Sequence, residues 1–206
     1  MVCRQKAMKL VGISLAVSVM LGLGLWLFFV NVNWGFARRV SAEEEQKRLS
    51  LVQAAEQWLG CKEEDGSHMA IIDRYNSREV LPVDYEVQYT DSWCATFVTV
   101  CAMDAELTDA IPPECGCQRQ IELFRNLGRW EENDTYLPLP GDIIYYDWDA
   151  EGLGDTAGWS DHVGIVIGTY GPYIRVIEGN MNDQVGYRVI DRYDPTIRGY
   201  GLPDYS

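Results

Sequence analysis

The sequence predicts an α+β domain in which N-terminal helices pack on an antiparallel β-sheet, and two observations favour this class. Apolar residues recur at helical spacing in the first half of the chain, whereas the second half holds short runs rich in β-branched and aromatic residues. Gly, Pro and Asn separate those runs, as turns between antiparallel strands require. The order of helices before strands argues against an alternating, parallel α/β arrangement.

The individual elements follow from the same patterns. The predicted helices cover residues 43–59, 93–105 and 121–127. Ser92 is the predicted N-cap of the second of these helices. A short polar helix after Ser67 is expected to leave His68 at the surface. The predicted strands cover residues 142–146, 163–167, 173–178 and 186–191.

The N-terminal segment has the composition of a membrane anchor. Leu10 to Val30 is an uncharged apolar run of 21 residues, which is long enough to cross a bilayer core. Basic residues precede this run and favour a cytoplasmic N-terminus. We therefore expect four segments, namely a short basic cytoplasmic segment (1–9), a single transmembrane helix (10–31), a juxtamembrane linker with a helix start (32–48) and the α+β domain (49–206).

A cleaved signal peptide is the alternative interpretation of this segment. Val40-Ser41-Ala42 ends in small residues, as cleavage sites do. The apolar run is longer than the core of a signal peptide, and the cleavage site would lie far beyond its end. Both interpretations export residues from about 41 onward. The expected protein is a single-pass protein of the cell membrane with an extracellular domain, or a secreted protein if the segment is cleaved.

Charge narrows the range of partners. The whole chain has a formal net charge of −14, and residues 1–40 hold five basic residues and no acidic ones. The remainder therefore has 12 basic and 31 acidic residues, a net charge of −19. Such a surface repels phosphate backbones, so we expect no nucleic-acid partner. It also adheres poorly to anionic polymers, and a membrane tether would offset this.

The exported part holds an odd number of cysteines: Cys61, Cys94, Cys101, Cys115 and Cys117. If four of them pair, at least one thiol stays free, and the sequence does not distinguish among the three possible pairings. Alternatively, all five are reduced and partly buried. In either case Cys94 is the natural candidate to remain unpaired.

Three residue types that thiol chemistry needs occur in a suitable order. Cys94 would occupy the first turn of its helix, where free N–H groups and the helix dipole stabilise a thiolate. His162, one of only two histidines, begins an apolar strand and can act as the base. Glu178, leading out of the next strand, can orient the imidazole. Asn180 is a second candidate for orienting the imidazole or polarising a carbonyl.

Four segments carry a family resemblance: Trp93-Cys94-Ala95-Thr96-Phe97-Val98, Pro140-Gly141-Asp142-Ile143, Asp161-His162-Val163-Gly164-Ile165-Val166 and Ile177-Glu178-Gly179-Asn180. With these segments, the stretch from about Gln53 to Gly201 resembles the CHAP family, cysteine- and histidine-dependent amidohydrolases/peptidases that cut bacterial peptidoglycan. The resemblance implies a papain-like α+β fold. It also implies that Cys94 is the nucleophile, His162 the base and acid, and Glu178 the orienting group, with Asn180 supporting the site.

The sequence also departs from the family. Many members have a basic wall-binding module, which is not present here, and some bind calcium through acidic residues before the nucleophile. The region from Pro82 to Asp91 lacks a dense acidic cluster. The later acidic loop that begins at Asp147 resembles the front half of an EF-hand, but Gly158 stands where the bidentate Glu would be. We therefore expect no metal and no other cofactor.

The leading hypothesis is a membrane-tethered peptidoglycan hydrolase that cleaves an amide bond through a thioester on Cys94. It would act as an N-acetylmuramoyl-L-alanine amidase or as a peptide endopeptidase. The alternative is a catalytically lapsed wall-binding or scaffold module, which would have no reason to keep a complete set of site residues. Peptidoglycan and the membrane, the latter through residues 10–31, are the expected partners. An envelope-spanning secretion or conjugation machine is also compatible with the charge and the anchor.

Overall fold

The computed structural model describes residues 40–148 and 159–206, and it confirms an α+β domain with an antiparallel sheet. In these residues four α-helices precede most of the sheet: α1 (Ala42–Glu56), α2 (Met69–Asn76), α3 (Cys94–Asp104) and α4 (Cys117–Asn126). A short 3₁₀ turn at Pro82–Asp84 lies between α2 and α3.

The described sheet has six strands: β1 (Trp130–Glu131), β2 (Ile143–Tyr146), β3 (His162–Tyr170), β4 (Tyr173–Glu178), β5 (Gly186–Asp191) and β6 (Ile197–Gly201). Their order in space is β1-β6-β2-β3-β4-β5, and every neighbouring pair is antiparallel. Four strands correspond to predicted ones, whereas β1 and β6 were not predicted. β1 is only two residues long, and β6 contains two glycines and no alternating pattern.

Helix α3 is the centre of the helical layer. Its residues from Cys94 to Ala102 are all buried, as expected for a helix that is apolar all round. It contacts α1, α2 and α4 on the helical side, and β3 and β4 on the sheet side. The helix therefore holds the residue at its N-terminus firmly against the sheet.

The start of α3 differs from the prediction. The N-cap is Trp93 rather than Ser92, and no side chain caps the first turn. The completely buried indole of Trp93 donates a hydrogen bond to Glu63 (Nε1–Oε1 3.0 Å), so packing fixes the position where the helix begins. The uncapped first-turn N–H groups stay available to other acceptors beside Cys94.

His68 was predicted to be exposed, and this prediction is wrong. Its side chain is buried against Trp93, with the ring centroids 5.9 Å apart. Its Nε2 donates to the carbonyl oxygen of Tyr89 at 3.1 Å. The short helix α2 packs inward through its apolar side, and this brings the residue before it into the core. His68 thus supports the tryptophan that precedes Cys94.

A buried ion pair ties α1 to the sheet. The guanidinium of Arg48 donates to the Asp142 carboxylate (Nη1–Oδ1 2.8 Å), and both side chains are almost completely buried. Asp142 also accepts hydrogen bonds from the Tyr136 hydroxyl and the Leu139 N–H. A buried charge needs this degree of compensation. The Pro140-Gly141-Asp142 segment is therefore a structural junction at the start of β2.

The predicted cytoplasmic segment (1–9), the predicted transmembrane helix (10–31) and most of the acidic loop after Asp147 lie outside the described residues. Within the two described ranges, no helix is both long and apolar enough to cross a bilayer.

Candidate active site

Three side chains from three different elements meet at one end of the sheet. Cys94 is the first residue of α3, His162 the first of β3, and Glu178 the last of β4. His162 Nε2 lies 3.0 Å from Glu178 Oε2. Because a carboxylate only accepts, Nε2 carries the hydrogen, which leaves Nδ1 to face the thiol. All three side chains are buried.

The Glu178 carboxylate has no exposed surface, and two residues that the sequence did not suggest compensate its burial. The Tyr146 hydroxyl donates to Oε1 at 2.8 Å. Arg188 Nε lies 2.8 Å from Oε1 and 2.9 Å from Oε2. Burial alone would raise the pKa of Glu178, but the hydrogen bonds and positive charges of His162 and Arg188 hold it below its ordinary value. Glu178 is therefore a carboxylate when it contacts the imidazole.

Two glycines make the room that this arrangement needs. A Cβ on Gly164 would lie 2.7 Å from Glu178 Cγ and 2.6 Å from Val176 Cγ1, so the Glu178 side chain occupies the space above Gly164. A Cβ on Gly179 would lie 2.4 Å from Phe97 Cβ. The end of β4 therefore approaches α3 as closely as the backbone permits, which brings Glu178 near the helix of Cys94.

An aromatic stack covers the imidazole. The Tyr146 ring stacks on Trp148 with a centroid distance of 4.8 Å and on His162 with 5.8 Å. Arg188 lies over the Trp148 ring at 5.1 Å. The Trp148 ring is partly exposed and also lies 6.0 Å from the His162 ring, so the three rings form one cluster, whereas Trp159 is largely exposed. The two aromatic rings therefore pack against the imidazole.

The groups around Cys94 favour ionisation of its thiol. Its Sγ lies 3.6 Å from Cys117 Sγ. The hydrogen bond with Cys117 lowers the pKa of Cys94 most, and burial opposes this; contact with His162 and the Ala95 N–H bring the pKa well below the ordinary thiol value. Burial would lower the pKa of His162, but Cys94 and Glu178 raise it to about 9. These opposite shifts favour a thiolate–imidazolium pair.

Asn180 lies two residues beyond Glu178 but outside the network. It adopts a left-handed conformation (φ 56°) in the turn that follows β4 and is half-buried. Within the described residues its side chain makes no hydrogen bond to His162 or Glu178. A supporting role for Asn180 therefore stays a prediction.

The five cysteines of the domain are all free thiols: Cys61, Cys94, Cys101, Cys115 and Cys117. This agrees with the fully reduced alternative rather than with two disulfides. Over the described residues, no group of three or more His, Cys, Asp or Glu side chains is placed to hold a metal ion.

A groove of about 350 Å³ adjoins the N-terminal end of α3. Ser92 lines it two residues before Cys94, and Gly116 lines it immediately before Cys117. The half-exposed side chain of Arg119 and the phenol of Tyr85 also line this groove. Two larger grooves on the described surface contain none of the residues around Cys94. Of these three grooves, the one beside Ser92 therefore lies next to the N-terminal end of α3.

Replacing Gly164 by alanine is expected to displace the Glu178 side chain. We expect a loss of about 1–3 kcal/mol in unfolding free energy, typical of overpacking, together with a clear loss of activity. Gly168→Ala on the same strand is the matched control, because the nearest atoms to its Cβ would be those of the exposed Tyr170 side chain. Thermal unfolding and hydrolysis assays on both variants check this, and equal effects of the two changes would contradict the assigned role of Gly164.

The ionisation states of Cys94 and His162 predict that activity falls on the alkaline side of neutral pH and persists on the acidic side. The reactive form needs Cys94 deprotonated and His162 protonated. Because the pKa of Cys94 is depressed, activity should persist on the acidic side of neutral pH. It should fall as the pH rises through about 9, where His162 loses the proton that the leaving group needs. Initial rates at sub-saturating substrate across the pH range measure this, and a rate that rises steadily through pH 9 would contradict it.

The chain is similar to one protein family and to one solved structure. A family model described as the CHAP domain matches residues 84–180, a range that contains Cys94, His162 and Glu178. No curated protein matches the chain. The solved structures include a similar chain, an NlpC/P60 family protein from Bacillus cereus ATCC 10987, with 15% sequence identity and a TM-score of 0.44. That similarity covers 75% of this chain and 39% of the other, so this chain spans less than half of its length. The stretch of the chain that is similar to the CHAP domain, residues 84–180, therefore contains all three residues of the candidate site.

Proposed function

We propose that the chain is a cysteine-dependent hydrolase that cleaves an amide bond of bacterial peptidoglycan. The observation that carries this proposal is the buried contact between Cys94, His162 and Glu178 inside the stretch that is similar to the CHAP domain. The similarity to the CHAP domain indicates peptidoglycan as the substrate, and the three side chains provide a nucleophile, an acid–base group and an orienting carboxylate.

The proposed reaction uses only groups of the chain and water. The Cys94 thiolate attacks the amide carbon, and the carbonyl oxygen becomes an oxyanion near the uncapped N–H groups at the start of α3. His162 gives its proton to the leaving nitrogen as the C–N bond breaks, which leaves a thioester on Cys94. His162 then takes a proton from water, the hydroxide attacks the thioester, and the Cys94 thiolate leaves. The products are a free amine and a carboxylic acid, which loses its proton to water.

Glu178 and its neighbours position the imidazole before the reaction begins. The Glu178 carboxylate holds Nε2–H, so that Nδ1 remains directed at the thiol and at the leaving group. Its negative charge also stabilises the imidazolium that must persist until the proton is transferred. Tyr146 and Arg188 keep the carboxylate in place and satisfy its remaining lone pairs.

The cleaved bond is tested by product analysis. The purified full-length chain is incubated with insoluble peptidoglycan, and the released material is identified by mass spectrometry. An amidase releases whole stem peptides, whereas an endopeptidase splits a stem or a cross-bridge. The matched control is His162→Ala, which keeps the thiol and removes the base. Soluble products in equal amount from both proteins, or none from the unchanged chain, would refute the proposal.

The location of the enzyme forms part of the proposal. The apolar segment 10–31 would tether the domain to the outer face of the cell membrane. A strongly acidic domain needs such a tether to remain beside an anionic wall. A tethered hydrolase of this kind could open the wall locally for an envelope-spanning secretion or conjugation machine. Protease treatment of intact spheroplasts should digest the domain while the protein fractionates with membranes. Recovery of the chain from the cytoplasm would contradict this location.

A further inference from the structure

The proposed reaction does not use Cys117, although this residue contacts the nucleophile. Cys117 is the first residue of α4, and its side chain is buried. Its Sγ lies 3.6 Å from Cys94 Sγ, within hydrogen-bonding distance for two sulfur atoms. A proton shared between two adjacent thiols is the arrangement that lowers thiol pKa values in Cys-X-X-Cys motifs, but here the two residues come from different helices.

The surroundings determine which sulfur keeps the proton. Cys94 contacts His162 and the Ala95 N–H, both of which favour a negative charge on its sulfur. Cys117 has neither contact: the hydrogen bond with Cys94, burial and the negative charge of Asp161 raise its pKa well above the ordinary value, although its own N–H lowers the pKa. The Tyr145 hydroxyl is buried near both sulfurs and stays neutral, because burial raises its pKa well above the ordinary value. The thiolate therefore forms on Cys94, and the hydrogen remains on Cys117.

We propose that Cys117 is a positioning residue whose S–H donates a hydrogen bond to the Cys94 thiolate and holds this sulfur beside the imidazole. The proposal rests on the proposed function in taking Cys94 as the nucleophile. The hydrogen bond stabilises the thiolate form and fixes the direction of its attack. It adds a donor from α4 to those that His162 and the helix start supply.

The pKa shifts of the two sulfurs agree with this assignment. The hydrogen bond between them raises the pKa of Cys117 and lowers that of Cys94, so each residue moves in the direction that its assigned state requires. A variant without the donor should hold less thiolate at mildly acidic pH. A variant with a hydroxyl in place of the thiol should keep much of the effect, since a hydroxyl is also a donor.

The test is the rate at which iodoacetamide alkylates Cys94, measured across pH on the fully reduced full-length chain. Mass spectrometry of the Cys94 peptide separates this thiol from the others. The midpoint of the rate profile should move upward by about 1 pH unit or more in Cys117→Ala, as expected for loss of a hydrogen bond to a charged group. Cys117→Ser should have a midpoint between those of Cys117→Ala and the unchanged chain. An unchanged midpoint in Cys117→Ala, or identical midpoints for the two variants, would overturn the proposal.

A matched control separates this role from packing. Cys101→Ala removes another completely buried thiol, two turns further along α3, and should leave the midpoint unchanged. If Cys117→Ala does not fold, the comparison of Cys117→Ser with the unchanged chain still decides. The shorter C–O bond holds the serine hydroxyl farther from the Cys94 sulfur, so a hydrogen-bonding role should shift the midpoint and a merely space-filling role should not. Alkylation needs no peptidoglycan, so failure of this proposal is distinguishable from failure of the proposed function. In hydrolysis, Cys117→Ala should lower kcat and leave KM unchanged.

Discussion

Replacement of Cys94 by alanine is expected to lower peptidoglycan hydrolysis by at least about 10⁴-fold, because the remaining thiol beside it, Cys117, lacks the contact with His162 that favours the thiolate. Cys94 is the residue where the helix start, His162 and the donor from α4 converge. Release of soluble muropeptides from insoluble peptidoglycan measures the loss. The residual rate should not depend on pH near 9, because without the Cys94 thiolate the protonation state of His162 no longer limits the reaction.

The fold of this variant should persist. The change removes one sulfur atom from the first turn of α3 and leaves the apolar packing of the helix intact. Cys101→Ala serves as the control, since it removes a buried thiol two turns further along the same helix and should retain activity. Hydrolysis by Cys94→Ala at a rate close to that of the unchanged chain would show that a different nucleophile acts.

The sequence predicts the residues whose signals are local. Cys94 precedes a helical apolar run, His162 begins an apolar strand, and Glu178 ends the next strand. Each signal can be read within a few residues, and the hairpin between β3 and β4 fixes the order of the last two. The structure brings these three residues together, and the helices-then-strands order predicts the α+β class for the same local reason.

The other residues of the site could not be predicted, because their positions depend on strand register and on packing between distant elements. Arg188 pairs in register with Val176 on the neighbouring strand, and only this pairing places it beside Glu178. Tyr146 reaches the carboxylate because β2 lies next to β3 in the sheet. Cys117 meets Cys94 through the contact between α4 and α3. An arginine at an inward-facing position of β5 was the one signal that could have indicated a buried acidic partner.

The substitution Glu178→Gln is expected to lower activity by about 10²- to 10⁴-fold and to destabilise the fold. Glutamine preserves the size of the side chain but removes the charge that Arg188 and His162 face. Arg188 would keep its charge in a partly buried place without a partner, and breaking a buried ion pair costs on the order of 3 kcal/mol. The pKa of His162 should fall from about 9, since the Glu178 carboxylate is one of the two groups that raise it.

The shape of the pH profile separates the two effects of this substitution. Loss of stability alone would lower the rate by one factor at every pH at which the variant is folded. Loss of the charge should also move the alkaline limb of the rate to lower pH, because the imidazolium then deprotonates earlier. Glu56→Gln is the control, since Glu56 accepts a hydrogen bond from Tyr187 at an exposed site far from Cys94 in the sequence, and it should change neither limb. An unmoved alkaline limb in Glu178→Gln would show that Glu178 only supports the fold and does not sustain the charge on His162.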